Sequence, residues 1–63
     1  MMTTKEIKEA TKCYVNWLGN RAPAYADKSG IVRVYDSVAG HFVVSSTLTP
    51  GQERYVRAKS REA

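Results

Sequence analysis

The stretch Ile31-Val-Arg-Val-Tyr-Asp-Ser-Val-Ala-Gly-His-Phe-Val-Val-Ser-Ser46 decides the fold. Ile31 to Tyr35 is a β-branched and aromatic run, which favours a strand. Ser37 to Gly40 suits a four-residue hairpin loop, with Gly40 free to take a positive φ. Phe42 to Ser46 is the returning strand. If Asp36 and His41 flank the loop, Tyr35 opposes Phe42, Val34 opposes Val43 and Arg33 opposes Val44. Side chains alternate between the faces of a strand. One face then carries Val32, Val34, Val43 and Ser45. The other carries Ile31, Arg33, Tyr35, Phe42, Val44 and Ser46, and is too apolar to be left bare.

Working outward, Thr3 to Leu18 reads as an amphipathic helix. Thr3 and Glu6 form a capping-box pair at its start. At 100° per residue Ile7, Ala10, Tyr14, Val15, Trp17 and Leu18 share one face, and Lys5, Lys8, Glu9, Lys12 and Asn16 the other. Gly19 follows as a C-terminal cap. Arg21 to Tyr25 reads as a connector or short strand, and Pro23 places it on a sheet edge. Asp27 to Gly30 is a turn. Downstream, Thr49, Pro50 and Gln52 combine an N-cap, a first-turn proline and a capping box. The second helix has a thin apolar face of Tyr55 and Val56, with Leu48 close by, and Ser60 to Ala63 are expected to fray. The expected fold is a single α+β domain over residues 1–63. Its N-terminal amphipathic helix packs on a small antiparallel sheet, a β-hairpin plus a short edge strand, and a short C-terminal helix completes the order α-β-β-β-α. The smooth valine face suits the first helix. The second helix, a second copy of the chain or a ligand could cover the other.

Composition narrows the function. A chain of 63 residues has a small core, and small folds usually need a disulfide, a metal or a second subunit. Cys13 is the only cysteine and His41 the only histidine. They allow neither an intrachain disulfide nor a zinc site, so a homodimer or another partner is the expected staple. Cys13 is expected to be a partly buried apolar residue of the first helix rather than a reactive thiol. No apolar run reaches the roughly 20 residues that cross a bilayer, and the N-terminus lacks a signal-like apolar segment. A cytoplasmic protein with no membrane partner is the expectation.

The formal net charge is +4, which suits nucleic acid or an acidic protein partner. Arg54, Arg57 and Arg61 fall in a narrow arc of the second helix and could follow a phosphate backbone. Lys5, Lys8 and Lys12 form a similar row, although i,i+4 pairing with glutamates is the ordinary explanation of both. Arg33 beside Tyr35 and Phe42 suggests a stacking platform with a cationic edge. His41 beside Asp36 has the outline of a dyad, but a chain this small has little room for a pocket in which a nucleophile could converge on it. No enzyme activity, cofactor or metal is expected. The helix, three strands, helix order resembles that of double-stranded RNA-binding domains. That resemblance is one of topology: the segment TPGQERYVRAKS carries Gln52 and Glu53 where those domains present lysines. Two functions follow from the residues. One is a nucleic-acid-associated accessory or regulatory protein using Arg54, Arg57, Arg61 and Arg33. The other is a module or inhibitor that binds a hydrophobic protein partner through Tyr35, Phe42 and Val44, of the kind phages and mobile elements encode.

Overall fold

The computed structural model describes residues 2–62. The chain runs through α1 (Thr4–Ala10), β1 (Cys13–Trp17), β2 (Asn20–Ala26), β3 (Val32–Asp36), β4 (His41–Val44) and α2 (Pro50–Arg61). The strands form one antiparallel sheet in the order β1-β2-β3-β4. The α+β class and the helix–sheet–helix order are as the sequence implies. The hairpin register is also as expected, pairing Tyr35 with Phe42, Val34 with Val43 and Arg33 with Val44.

The first helix is shorter than its apolar periodicity suggests. Its capping box forms, Glu6 N–H donating to Thr3 Oγ1 at 3.2 Å and Thr3 N–H to Glu6 Oε1 at 2.9 Å. The helix ends at Ala10, and Thr11 turns to extended backbone while its hydroxyl donates to the Ile7 carbonyl at 2.6 Å. The residues that follow, Cys-Tyr-Val-Asn-Trp, become β1, with Cys13 and Val15 buried and Tyr14 and Asn16 exposed. Two patterns coincide here. Residues 13, 15 and 17 alternate as a strand requires, while Ile7, Ala10, Tyr14 and Trp17 also fit a helical period. The β-forming side chains decide in favour of the strand once β2 is there to pair with it.

Leu18 and Gly19 close the β1–β2 hairpin with φ of 51° and 80°. Two successive positive φ values are the requirement of a type I′ turn. Gly19 takes this conformation freely; Leu18 takes it at a cost, since its Cβ crowds the neighbouring carbonyl. Leu18 is also 69% exposed, so burial returns little. Leu18→Asn should therefore stabilise the protein by about 0.5–1 kcal/mol, read as a raised urea midpoint with an unchanged m-value. A lower midpoint would mean that Leu18 is held by packing.

β2 is an interior strand, which corrects the edge position expected from Pro23. The Ala24 carbonyl accepts from Lys12 N–H toward β1, so position 23 presents its backbone toward β3. Proline has no N–H to offer there, and β2–β3 pairing is registered from Ala24↔Val34 to Ala26↔Val32 without reaching residue 23.

The valine face is the core, but α2 covers it, not the first helix. Val56 is completely buried against Cys13, Val15, Ala24, Val32, Val34 and Leu48, with Trp17, Ala26 and Val43 around them. Alanines at 24 and 26 leave room for the helix to approach. Hydrogen bonds fasten α2 along its length. Gln52 Nε2 donates to the Asn16 carbonyl (2.9 Å), Arg57 Nε to the Gly30 carbonyl (2.8 Å) and Ala26 N–H to Ser60 Oγ (2.8 Å). Ser60 is therefore anchored rather than frayed, and α2 holds to Arg61; Ala63 lies outside the described residues. Trp17 Nε1–H is shared between Ser45 Oγ (2.8 Å) and Thr47 Oγ1 (2.9 Å), tying β1 to the segment after β4. α1 lies against β2, and Met2 N–H donates to the Gly40 carbonyl. No residue of α1 is buried, and its half-buried Ile7 and Ala10 stand apart from the cluster beneath α2.

Candidate phosphate-binding surface

The arginine arc on α2 divides into free and committed members. Arg54 is exposed and lies in no ion pair among the described residues. Arg57 is committed: its Nε holds the Gly30 carbonyl and its Nη2 lies 3.7 Å from Glu53 Oε2. Its outer guanidinium nitrogens are thus fixed in orientation. Arg61 is exposed at the last helical turn. Lys59 pairs with Glu62 at 3.6 Å and lies 5.8 Å from the Tyr55 ring centroid. Basic groups in a last turn offset the negative end of the helix dipole, and Lys59 is explained that way.

Lys28 is the residue that sequence reasoning missed. It belongs to the β2–β3 turn, far from α2 along the chain. The tethers from α2 to Ala26 and Gly30 bring this turn against the end of the helix. Between them lies a depression of about 220 Å³, lined by Ala26, Asp27, Lys28, Gly30, Arg57, Ser60 and Arg61. Nothing in the turn's sequence singled it out, since the charges of Asp27 and Lys28 cancel.

Asp27 is the one acid in the lining, and its oxygens are occupied. Oδ1 accepts from Ser29 N–H (2.9 Å) and Ile31 N–H (3.0 Å), and Oδ2 from Arg33 Nη2 (3.5 Å). The Ile31 N–H foremost, with the Ser29 N–H and the Arg33 charge, holds its carboxyl below the usual carboxylate range. Ser60 is likewise satisfied, since its hydroxyl donates to the Val56 carbonyl at 2.8 Å while accepting from Ala26 N–H. The groups left to meet a ligand are cationic.

The other site residues lie on the sheet face away from α2. Phe42 packs edge-on between Tyr25, with centroids 4.9 Å apart and planes at 75°, and Tyr35, at 5.5 Å and 72°. These three rings are half-buried, whereas Val44 is 60% exposed. Arg33, the cross-strand partner of Tyr25, pairs with Asp27 at 3.5 Å. On the β1–β2 hairpin the Arg21 guanidinium lies 4.9 Å from the Tyr14 ring centroid. The structure thus separates the expected nucleic-acid residues: Arg54, Arg57 and Arg61 lie on α2, while Arg33 is bound to the β2–β3 turn.

Asp36 and His41 face each other across the hairpin, but their side chains bond elsewhere. Asp36 Oδ1 accepts from Val38 and Ala39 N–H, and His41 Nδ1–H donates to the Phe42 carbonyl at 3.0 Å. Cys13 is a core residue of β1 rather than a partly buried residue of a helix, and burial pushes its thiol pKa up. No helix among the described residues is long and apolar enough to cross a membrane.

No protein family matches the chain, and the searches of curated proteins and of solved structures yield no match either.

Proposed function

We propose that this protein is a small, non-enzymatic nucleic-acid-binding protein of accessory or regulatory type. It contacts phosphates through the end of α2 and the adjoining β2–β3 turn. The observation that carries the reading is the gathering of Lys28, Arg57 and Arg61 around one depression, with Arg54 exposed on the same helix, in a chain of net charge +4. Phosphate contacts of this kind fix position and affinity without reading sequence.

Salt dependence tests it. Each neutralised phosphate contributes a slope of about −0.9 to log K against log salt on duplex DNA, and about −0.7 on single strands. Anisotropy titrations of labelled single-stranded and duplex probes between about 50 and 200 mM salt would compare the wild type with Lys28→Ala/Arg54→Ala/Arg61→Ala. The triple variant should bind at least tenfold more weakly at low salt and lose about two units of slope. Arg57 is left in place because its bond to Gly30 is structural. Equal affinity and equal slope would remove this surface from the account.

A second reading, docking to a protein, is favoured by a different end of the molecule. In an antiparallel meander the β1–β2 and β3–β4 turns fall at the same end. They present Leu18, 69% exposed in a strained conformation, and Val38, 94% exposed. Backbone strain retained at an exposed apolar residue is a feature of binding sites. This end lies opposite the basic depression, so the two activities can coexist. Leu18→Asn/Val38→Ser should leave nucleic-acid affinity unchanged.

A further inference from the structure

We propose that the depression between the end of α2 and the β2–β3 turn seats a phosphate monoester dianion. The inference rests on the nucleic-acid reading only for the source of that group, which there is the terminal phosphate of a strand. Four observations carry it. The site is concave and has room for one phosphate group rather than a run of them. Its lining holds Lys28, Arg57 and Arg61 against the carboxylate of Asp27; outside the lining Glu53 pairs with Arg57 and Arg33 with Asp27, which leaves a positive excess that a dianion offsets more fully than a diester. The carboxylate is occupied by bonds with Ser29, Ile31 and Arg33. Arg57 is oriented in advance by the Gly30 carbonyl, so little ordering is left to binding, and Arg–phosphate pairing favours such fixed geometry. The helix dipole accounts for cations at the last turn of α2; it does not account for Lys28, which sits on the turn.

The test uses the intact chain and three probes. These are a 12-nucleotide strand bearing a 5′- or 3′-terminal phosphate, the same strand without one, and inorganic phosphate alone. Affinities come from anisotropy, and the Lys28, Ser29 and Gly30 amides are followed by NMR. The phosphorylated strand should bind at least tenfold more tightly. Lys28→Ala/Arg61→Ala should erase that preference, while Arg54→Ala weakens all strands alike. The preference should shrink between pH 7.5 and 5.5, because the second pKa of a phosphate monoester lies near 6. Inorganic phosphate should shift the three amides saturably. If strands bind equally with and without a terminal phosphate and inorganic phosphate leaves the amides unmoved, the seat is overturned and the nucleic-acid reading stands. If no strand binds but inorganic phosphate saturates the amide shifts, and Lys28→Ala/Arg61→Ala abolishes them, the seat stands for a small phosphate and the nucleic-acid reading falls.

Discussion

Val56→Asp should unfold this protein, whereas Val56→Ala should leave it folded with a lower melting temperature. Val56 is the one buried residue of α2, with no exposed surface, and it sits at the centre of the cluster formed by Cys13, Val15, Ala24, Val32, Val34 and Leu48. Removing its two methyl groups forfeits about 1.5–2 kcal/mol of burial and adds a small cavity penalty. A chain of this size has only about 3–9 kcal/mol of stability in total, so the alanine variant survives. Aspartate forfeits the same burial and also places a carboxylate where no described side chain offers it a hydrogen bond. That desolvation costs several kcal/mol more, and the sum consumes the whole margin. Circular dichroism melts and amide dispersion in NMR would show it. A Val56→Asp variant that stayed folded would mean that α2 is an appendage and that the sheet stabilises itself.

The α2 core shows why some of the fold was legible in the sequence and some was not. The β3–β4 hairpin could be read residue by residue because β-branched runs, a turn with Gly40 and the alternation of valines all agree. The start of α2 could be read because Thr49, Pro50 and Gln52 each mark a helix start for an independent physical reason. The segment from Cys13 to Trp17 gave conflicting signals. Its apolar residues satisfy both periods, and its turn is Leu-Gly rather than the Asn-Gly that announces a type I′ hairpin. Which helix covers the valine face was hidden for a related reason. The first helix looks the more apolar only if β1 is counted as part of it. Without those residues it keeps Ile7 and Ala10, and α2 with Val56 and Leu48 is the better fit. The candidate site divides the same way. The arc of Arg54, Arg57 and Arg61 follows from helical spacing alone, while Lys28 joins it only through the tertiary bonds Arg57–Gly30 and Ser60–Ala26.

The aromatic row opposite α2 poses a choice that one residue decides. Phe42→Ala should destabilise the protein by about 2–4 kcal/mol: the half-buried ring loses apolar burial and two edge-to-face contacts worth about 0.5–1.5 kcal/mol each. Phe42→Leu keeps most of the burial and loses only the ring contacts, so it should cost about 1–3 kcal/mol and fold well at low temperature. Compared at a temperature where both are native, wild type and Phe42→Leu should bind nucleic acid within twofold of each other, with equal salt slopes. The reason is geometric. Bases stack on exposed ring faces, and Phe42 is packed between the Tyr25 and Tyr35 rings at 75° and 72°. The cation once expected to border such a platform, Arg33, is engaged with Asp27. A Phe42→Leu protein that kept its stability and lost tenfold in affinity would reverse the assignment. The sheet face would then be the working surface and the α2 depression secondary. With the expected result, the rings act as the second, smaller packing layer of a sheet that α2 covers on one side only, and the phosphate chemistry stays at the β2–β3 end with Lys28 and Arg61.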